Sequence, residues 1–94
     1  MQPPDITRVF IGPQMEFEVE IVFAKEGNQS PEEVHEYEEV IVVIEGVVGL
    51  TRGPGTESET YSKYDTIVLP AGTVHQITVV EAPVKVVIIH PERV

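Results

Sequence analysis

The sequence predicts an all-β domain, a small barrel or sandwich. Short apolar runs follow one another along the chain and are separated by turns carrying Gly or Pro, the spacing expected of short strands. Apolar and polar residues alternate cleanly in the second of these runs, and no segment shows a helical period. The chain has 94 residues with no repeat, linker or low-complexity stretch, which makes one domain over residues 1–94.

Residues 6–11 form the first expected strand, ended by Gly12-Pro13. Residues 15–24 form the second, with Met15, Phe17, Val19, Ile21 and Phe23 on one face and Glu16, Glu18 and Glu20 on the other, the pattern of a half-buried strand. Residues 26–32, with Gly27-Asn28-Gln29-Ser30-Pro31, read as a loop. A strand over residues 34–44 follows, then a turn at Glu45-Gly46 and a returning strand over 47–52. Gly53-Pro54-Gly55 is a further turn, and with no helix after it this is not a phosphate loop. A polar strand over 57–62 and a short one over 66–69 lead to Pro70-Ala71-Gly72, which turns the chain into a strand over 74–80. Glu81-Ala82-Pro83 then turns it into the last strand, 84–89. The total is eight or nine strands, and an eight-stranded barrel has room for its side chains plus one small ligand.

Residues 40–44 and 84–89 are apolar on both faces. A lone barrel would expose one of those faces, so the pattern predicts a homodimer that packs them together.

Composition excludes several functions. There is no cysteine, hence no disulfide, no thiolate nucleophile and no Cys-based zinc site. The formal net charge is −10, and the six basic residues are scattered, so neither nucleic acid nor an anionic membrane is an expected partner. No apolar run approaches the ~20 residues of a membrane span, and the first residues lack the basic and apolar regions of a signal peptide. A cytoplasmic protein is the expectation. The absence of Cys with abundant Val and Glu fits a thermophile.

Two segments carry the chemistry. In the first, Glu33, His35 and Glu39 share parity, so on an extended strand all three point to one face. In the second, His75 follows Pro70-Ala71-Gly72. Polar groups facing a β core need a partner, because unpaired burial is costly; a divalent cation held by groups from both segments would be one.

These segments resemble the two motifs of the cupins, a superfamily of small β-barrels. The first cupin motif runs Gly, five residues, His-x-His, three or four residues, Glu, six residues, Gly; His35, Glu39 and Gly46 fit the second His, the Glu and the closing Gly. The second motif runs Gly, five residues, Pro-x-Gly, two residues, His, three residues, Asn; Pro70, Gly72 and His75 match. The resemblance implies a jelly-roll barrel, or double-stranded β-helix, with a divalent metal bound by the matching His and Glu. Where the family has its first His, the chain has Glu33; where the second motif opens with Gly it has Tyr64, and where it closes with Asn it has Val79. Gly27 lies one residue too far from Glu33 to open the first motif.

The expected metal ligands are therefore Glu33, His35, Glu39 and His75. The alternative for each His is a hydrogen-bonded core residue. Glu33 has two others: a solvated carboxylate at a loop edge, or an acid–base group beside the metal. His90, before Pro91, reads as structural or solvent-exposed. Tyr37 reads as core rather than as a cavity wall, and Glu36 and Glu38 as solvated surface. Two imidazoles and a carboxylate leave open positions, and a second carboxylate favours Fe, Mn, Ni or Zn over Cu(I). Three neutral His and one Glu around a divalent ion sum to +1, whereas two His and two Glu sum to zero. The neutral site is the weaker Lewis acid.

One fold hosts many functions. The resemblance offers a metal-dependent enzyme on a small organic molecule, of dioxygenase or isomerase type, with Glu33 as fourth ligand or general base. The alternatives are a non-catalytic module that binds or senses a small molecule, and a structural barrel whose polar residues only hydrogen-bond.

Overall fold

The computed structural model describes residues 4–14, 16–53 and 57–92. Among them six strands form: β1 (Asp5–Ile11), β2 (Glu18–Ala24), β3 (Glu39–Thr51), β4 (Glu59–Tyr61), β5 (Thr66–Leu69) and β6 (Gln76–His90). The order is β1-β2-β6-β3-β4, with β5 beside β3, and every pairing is antiparallel. The all-β expectation holds. Met15, Pro54-Gly55 and the first three residues lie outside the described residues.

The eight or nine expected strands become six because two expected reversals are bends within one strand. Glu45-Gly46 lies inside β3 and Glu81-Ala82-Pro83 inside β6. The bends sit opposite each other: Glu45 pairs with Lys85 and Val47 with Glu81, and the register shifts on either side. Residues 40–43 of β3 pair with 86–89 of β6, in a wall that also holds β1, β2 and β5. Residues 48–51 pair with 76–79, in a wall that also holds β4. Strands that bend through bulges and pass from one wall to the other make the corners of such a barrel. Gly46 takes φ +82°, and a Cβ there would run into the Pro83 carbonyl and come within 2.7 Å of the Glu81 carbonyl. The residue types that make a hairpin turn here make a corner instead.

The strand expected over 34–44 starts only at Glu39. Residues 33–38 form a loop, so shared parity on one strand is not what places Glu33 and His35. The loop is fixed by its neighbours. Glu33 and His75 exchange both backbone hydrogen bonds at 2.8 Å, and the Gly72 N–H donates to the His35 carbonyl at 2.8 Å. Gly72 itself has φ +82° and the Thr73 N–H reaches the Pro70 carbonyl at 3.2 Å, the geometry of a type II turn.

In β2 the alternation is present, but the face turned inward is the acidic one. Cross-strand partners share a face, and Glu18 pairs with His90, Glu20 with Ile88 and Val22 with Val86. Glu18, Val22, Val86 and His90 are buried, whereas Phe23 on the opposite face is 44% exposed. The core comprises Val22, Ile41, Val43, Val48, Leu50, Ile67, Leu69, Val84 and Val86. Full burial of such a side chain is worth roughly 1.5–3 kcal/mol against exposure.

Candidate metal centre

A cavity of about 280 Å³ lies between the walls. The strand register sorts its lining. Toward one end stand Val22, Val84 and Val86; toward the other, Glu18, Glu39 and His90. The loop with Glu33, His35 and Tyr37, and the strand entry at His75, complete the polar end.

Glu39 is at the centre of this end and is almost fully buried, with 4% exposure. Its Oε2 lies 2.9 Å from His75 Nε2 and its Oε1 lies 3.0 Å from His90 Nε2. The Oε2 contact is close in distance but lacks hydrogen-bond geometry, so that buried oxygen has no hydrogen-bond partner. Burial pushes the Glu39 carboxyl up, but the facing imidazoles of His75 and His90 outweigh it and hold it at about 2. The Glu39 carboxylate in turn raises His75, against the opposing effect of burial. His90 is raised as well: burial opposes the charge, and the Glu39 and Glu18 carboxylates overcome it.

The remaining polar groups extend this line. His75 Nδ1 lies 3.0 Å from the Thr73 carbonyl. Glu33 Oε2 is 3.1 Å from His35 Nε2 and 4.0 Å from His75 Nε2. On the far side, His90 Nδ1 meets Glu18 Oε1 at 2.9 Å, and Glu18 Oε2 meets Arg8 Nε at 2.9 Å. Glu20, beside Glu18, is pushed up to about 7 by burial and by the neighbouring carboxylate.

All four residues expected as ligands, Glu33, His35, Glu39 and His75, thus line one cavity. Ligand atoms of Glu33, His35 and His75 lie within 4.8 Å of one another, as do those of His35, Glu39 and His90 and those of Glu18, Glu20 and His90. The donor set fits a divalent ion. Once His75 Nδ1–H donates to the Thr73 carbonyl, the neutral ring carries its lone pair at Nε2, 2.9 Å from the unpartnered Glu39 oxygen. A cation between them would satisfy both.

Two expectations are corrected. His90 is buried at 6% exposure and faces the cavity, so the solvent-exposed option fails. Tyr37 is a cavity wall and not core: its ring stacks on His35 at 4.8 Å between centroids and meets His90 edge-on at 5.0 Å. Glu36 and Glu38 are exposed as expected. Arg8, Glu18, Glu20 and His90 were not anticipated. The available signal was parity, since His90 continues the face of Val84, Val86 and Ile88 and Glu18 that of Val22.

The family model described as Cupin domain matches residues 19–90. No curated protein matches the chain. Similar solved structures include an RmlC-like cupin family protein with a double-stranded β-helix fold from Methanocaldococcus jannaschii, with TM-score 0.85 and 12% identity, covering 99% of this chain and 84% of that one. An RmlC-like cupin protein from Desulfovibrio desulfuricans is 26% identical with TM-score 0.79, covering 96% and 84%. KdgF from a Halomonas species is 20% identical with TM-score 0.81, covering 99% and 84%. With the family model matched from β2 to the end of β6 and the barrel shared with these structures, the chain belongs to the cupin family.

Proposed function

We propose that this cupin binds a divalent metal through His35, Glu39 and His75, with Glu33 as a fourth ligand or an acid–base group, and acts on a small organic molecule. The observation that carries the reading is the buried, unpartnered Glu39 oxygen 2.9 Å from His75 Nε2 at the polar end of a cavity. Mixed imidazole and carboxylate donors suit Fe, Mn, Ni or Zn. Such an ion, when bound, polarises an oxygen of the molecule beside it or lowers the pKa of bound water. The chain's own part is distinct. A cavity of about 280 Å³ limits the ligand to a small molecule. Val22, Val84 and Val86 exclude water from its apolar part. Glu33, 37% exposed at the lip, stands where a carboxylate can exchange protons with both the cavity and solvent.

The metal-binding reading is tested by melting chelator-treated protein with and without each metal. An ion that binds the native state at 100 times its Kd adds about 2.7 kcal/mol, a gain that Glu39→Gln should abolish. Oxygen uptake on catechols, thiols and diketones tests dioxygenation, and aldose–ketose exchange in deuterated water tests isomerisation. A ligand-stabilised protein inactive in both would favour the second reading, a binding or sensing module.

The functional unit is a homodimer in this proposal. On the outer face Val19, Ile89, Val40 and Val68 lie side by side across four strands, followed by Ile21, Val87 and Val42. These rows carry no charged side chain in a chain of net charge −10. A second copy can offer the same rows about a two-fold axis.

A further inference from the structure

We infer that His90 is itself a metal ligand, so that the ion is held by His35, Glu39, His75 and His90 while Glu33 stays outside the ligand set as an acid–base group. This rests on the metal-binding reading above and assigns a residue that lies in neither motif.

His90 has the arrangement of a ligating imidazole. Its Nδ1–H donates to Glu18 Oε1 at 2.9 Å, and Glu18 is fixed from behind by Arg8 Nε at 2.9 Å. Glu18 is 2% exposed, so the carboxylate has little freedom. A ring tied to a carboxylate through one nitrogen presents the other in a fixed direction with raised basicity. For His90 that nitrogen is Nε2, and it points at Glu39 Oε1 at 3.0 Å. His75 is built similarly: Nδ1 is tied to the Thr73 carbonyl at 3.0 Å and Nε2 lies 2.9 Å from the other Glu39 oxygen. One buried carboxylate is thus flanked by two imidazoles, each restrained from behind through Nδ1. His35 closes the group, with its ring 5.3 Å from His75 and 5.7 Å from His90 between centroids. Ligand atoms of His35, Glu39 and His90 already lie within 4.8 Å of one another.

Glu33 lies within 4.8 Å of ligand atoms of His35 and His75, but it differs in exposure: its side chain is 37% exposed, whereas Glu39, His75 and His90 are buried. The Glu33 carboxylate takes the contact with His35 Nε2 at 3.1 Å, which positions that ring. Three neutral imidazoles and one carboxylate leave a bound divalent ion with a net +1, and a free carboxylate at the lip can then serve the molecule beside it.

The test is zinc K-edge X-ray absorption on the zinc-loaded full chain, with zinc affinities of the wild type, His90→Gln and Glu33→Gln. The inference expects the wild-type spectrum to require three imidazoles and His90→Gln to require two. It expects zinc affinity to fall about 100-fold or more in His90→Gln and less than about 10-fold in Glu33→Gln. A wild-type spectrum with two imidazoles, or an affinity loss confined to Glu33→Gln, overturns the inference and leaves the metal-binding reading intact. No zinc uptake by the wild type overturns both. Should His90→Gln fail to fold, the wild-type imidazole count decides alone.

Discussion

At the scale of the residue, Tyr64 shows how a departure from a family pattern is felt locally. It has φ +72°, the left-handed region in which a side chain is strained, and it stands where the second motif opens with Gly. The turn keeps this conformation because the Ser62 N–H meets Asp65 Oδ2 at 2.8 Å and the Tyr64 N–H meets the Val43 carbonyl at 2.7 Å. The side chain is 71% exposed, so little packing is lost on its removal. Relief of strain of about 1–3 kcal/mol exceeds the chain entropy of about 0.4–1 kcal/mol that glycine adds to the unfolded state. Tyr64→Gly should therefore raise stability by about 1 kcal/mol in denaturant unfolding; a fall in the midpoint would show that the Lys63 contact over its ring matters more.

The buried ionisable groups set the pH dependence of the metal-free protein. Glu39, held at about 2 against an ordinary 4.5, contributes stability above pH 4.5 that is lost as pH falls through 2. Glu20, raised from 4.5 to about 7, contributes below pH 4.5 and loses it as pH rises through 7. His75 and His90, raised from 6.5, contribute fully below that value and less as pH climbs past it. Melting temperature without metal should peak near pH 4.5, decline as pH rises toward about 7 and fall further above 6.5. A maximum in the alkaline range would mean these groups are not paired as described.

At the scale of the element, the long strands depend on their corner. Gly46 combines a positive φ with contact against the neighbouring strand, so Gly46→Ala brings backbone strain of about 1–3 kcal/mol together with a clash. We expect a loss of more than about 2 kcal/mol in urea unfolding. A loss below about 0.5 kcal/mol would show that the corner relaxes. β5 was legible to the residue because Thr66–Leu69 is bounded by strong turn signals. β3 and β6 were not, because Glu45-Gly46 and Ala82-Pro83 serve a bend as well as a reversal, and only the pairing partner decides between them. Likewise His35, Glu39 and His75 were legible from motif spacing, whereas Glu18 and His90 were hidden. Alternation in β2 separates two faces without saying which is inward, and here the inner face is polar because it serves the cavity.

At the scale of the whole molecule, an apolar core shares the interior with one end of buried carboxylates and imidazoles, while the outer face carries rows of Val and Ile. Outer apolar rows make sense if a partner covers them. Light scattering after size exclusion should give twice the 10.4 kDa chain mass, and Val40→Glu, placed mid-row, should give the monomer. A wild-type monomer would remove the dimer from the account. Burying carboxylates and imidazoles at that end of the interior is costly unless something binds there, and the most direct test is elemental analysis of protein purified without affinity tag or chelator, wild type beside His75→Ala. The account predicts near-stoichiometric Fe, Mn, Ni or Zn in the wild type and its loss in the variant. No metal in either, and none taken up on reconstitution, would contradict it.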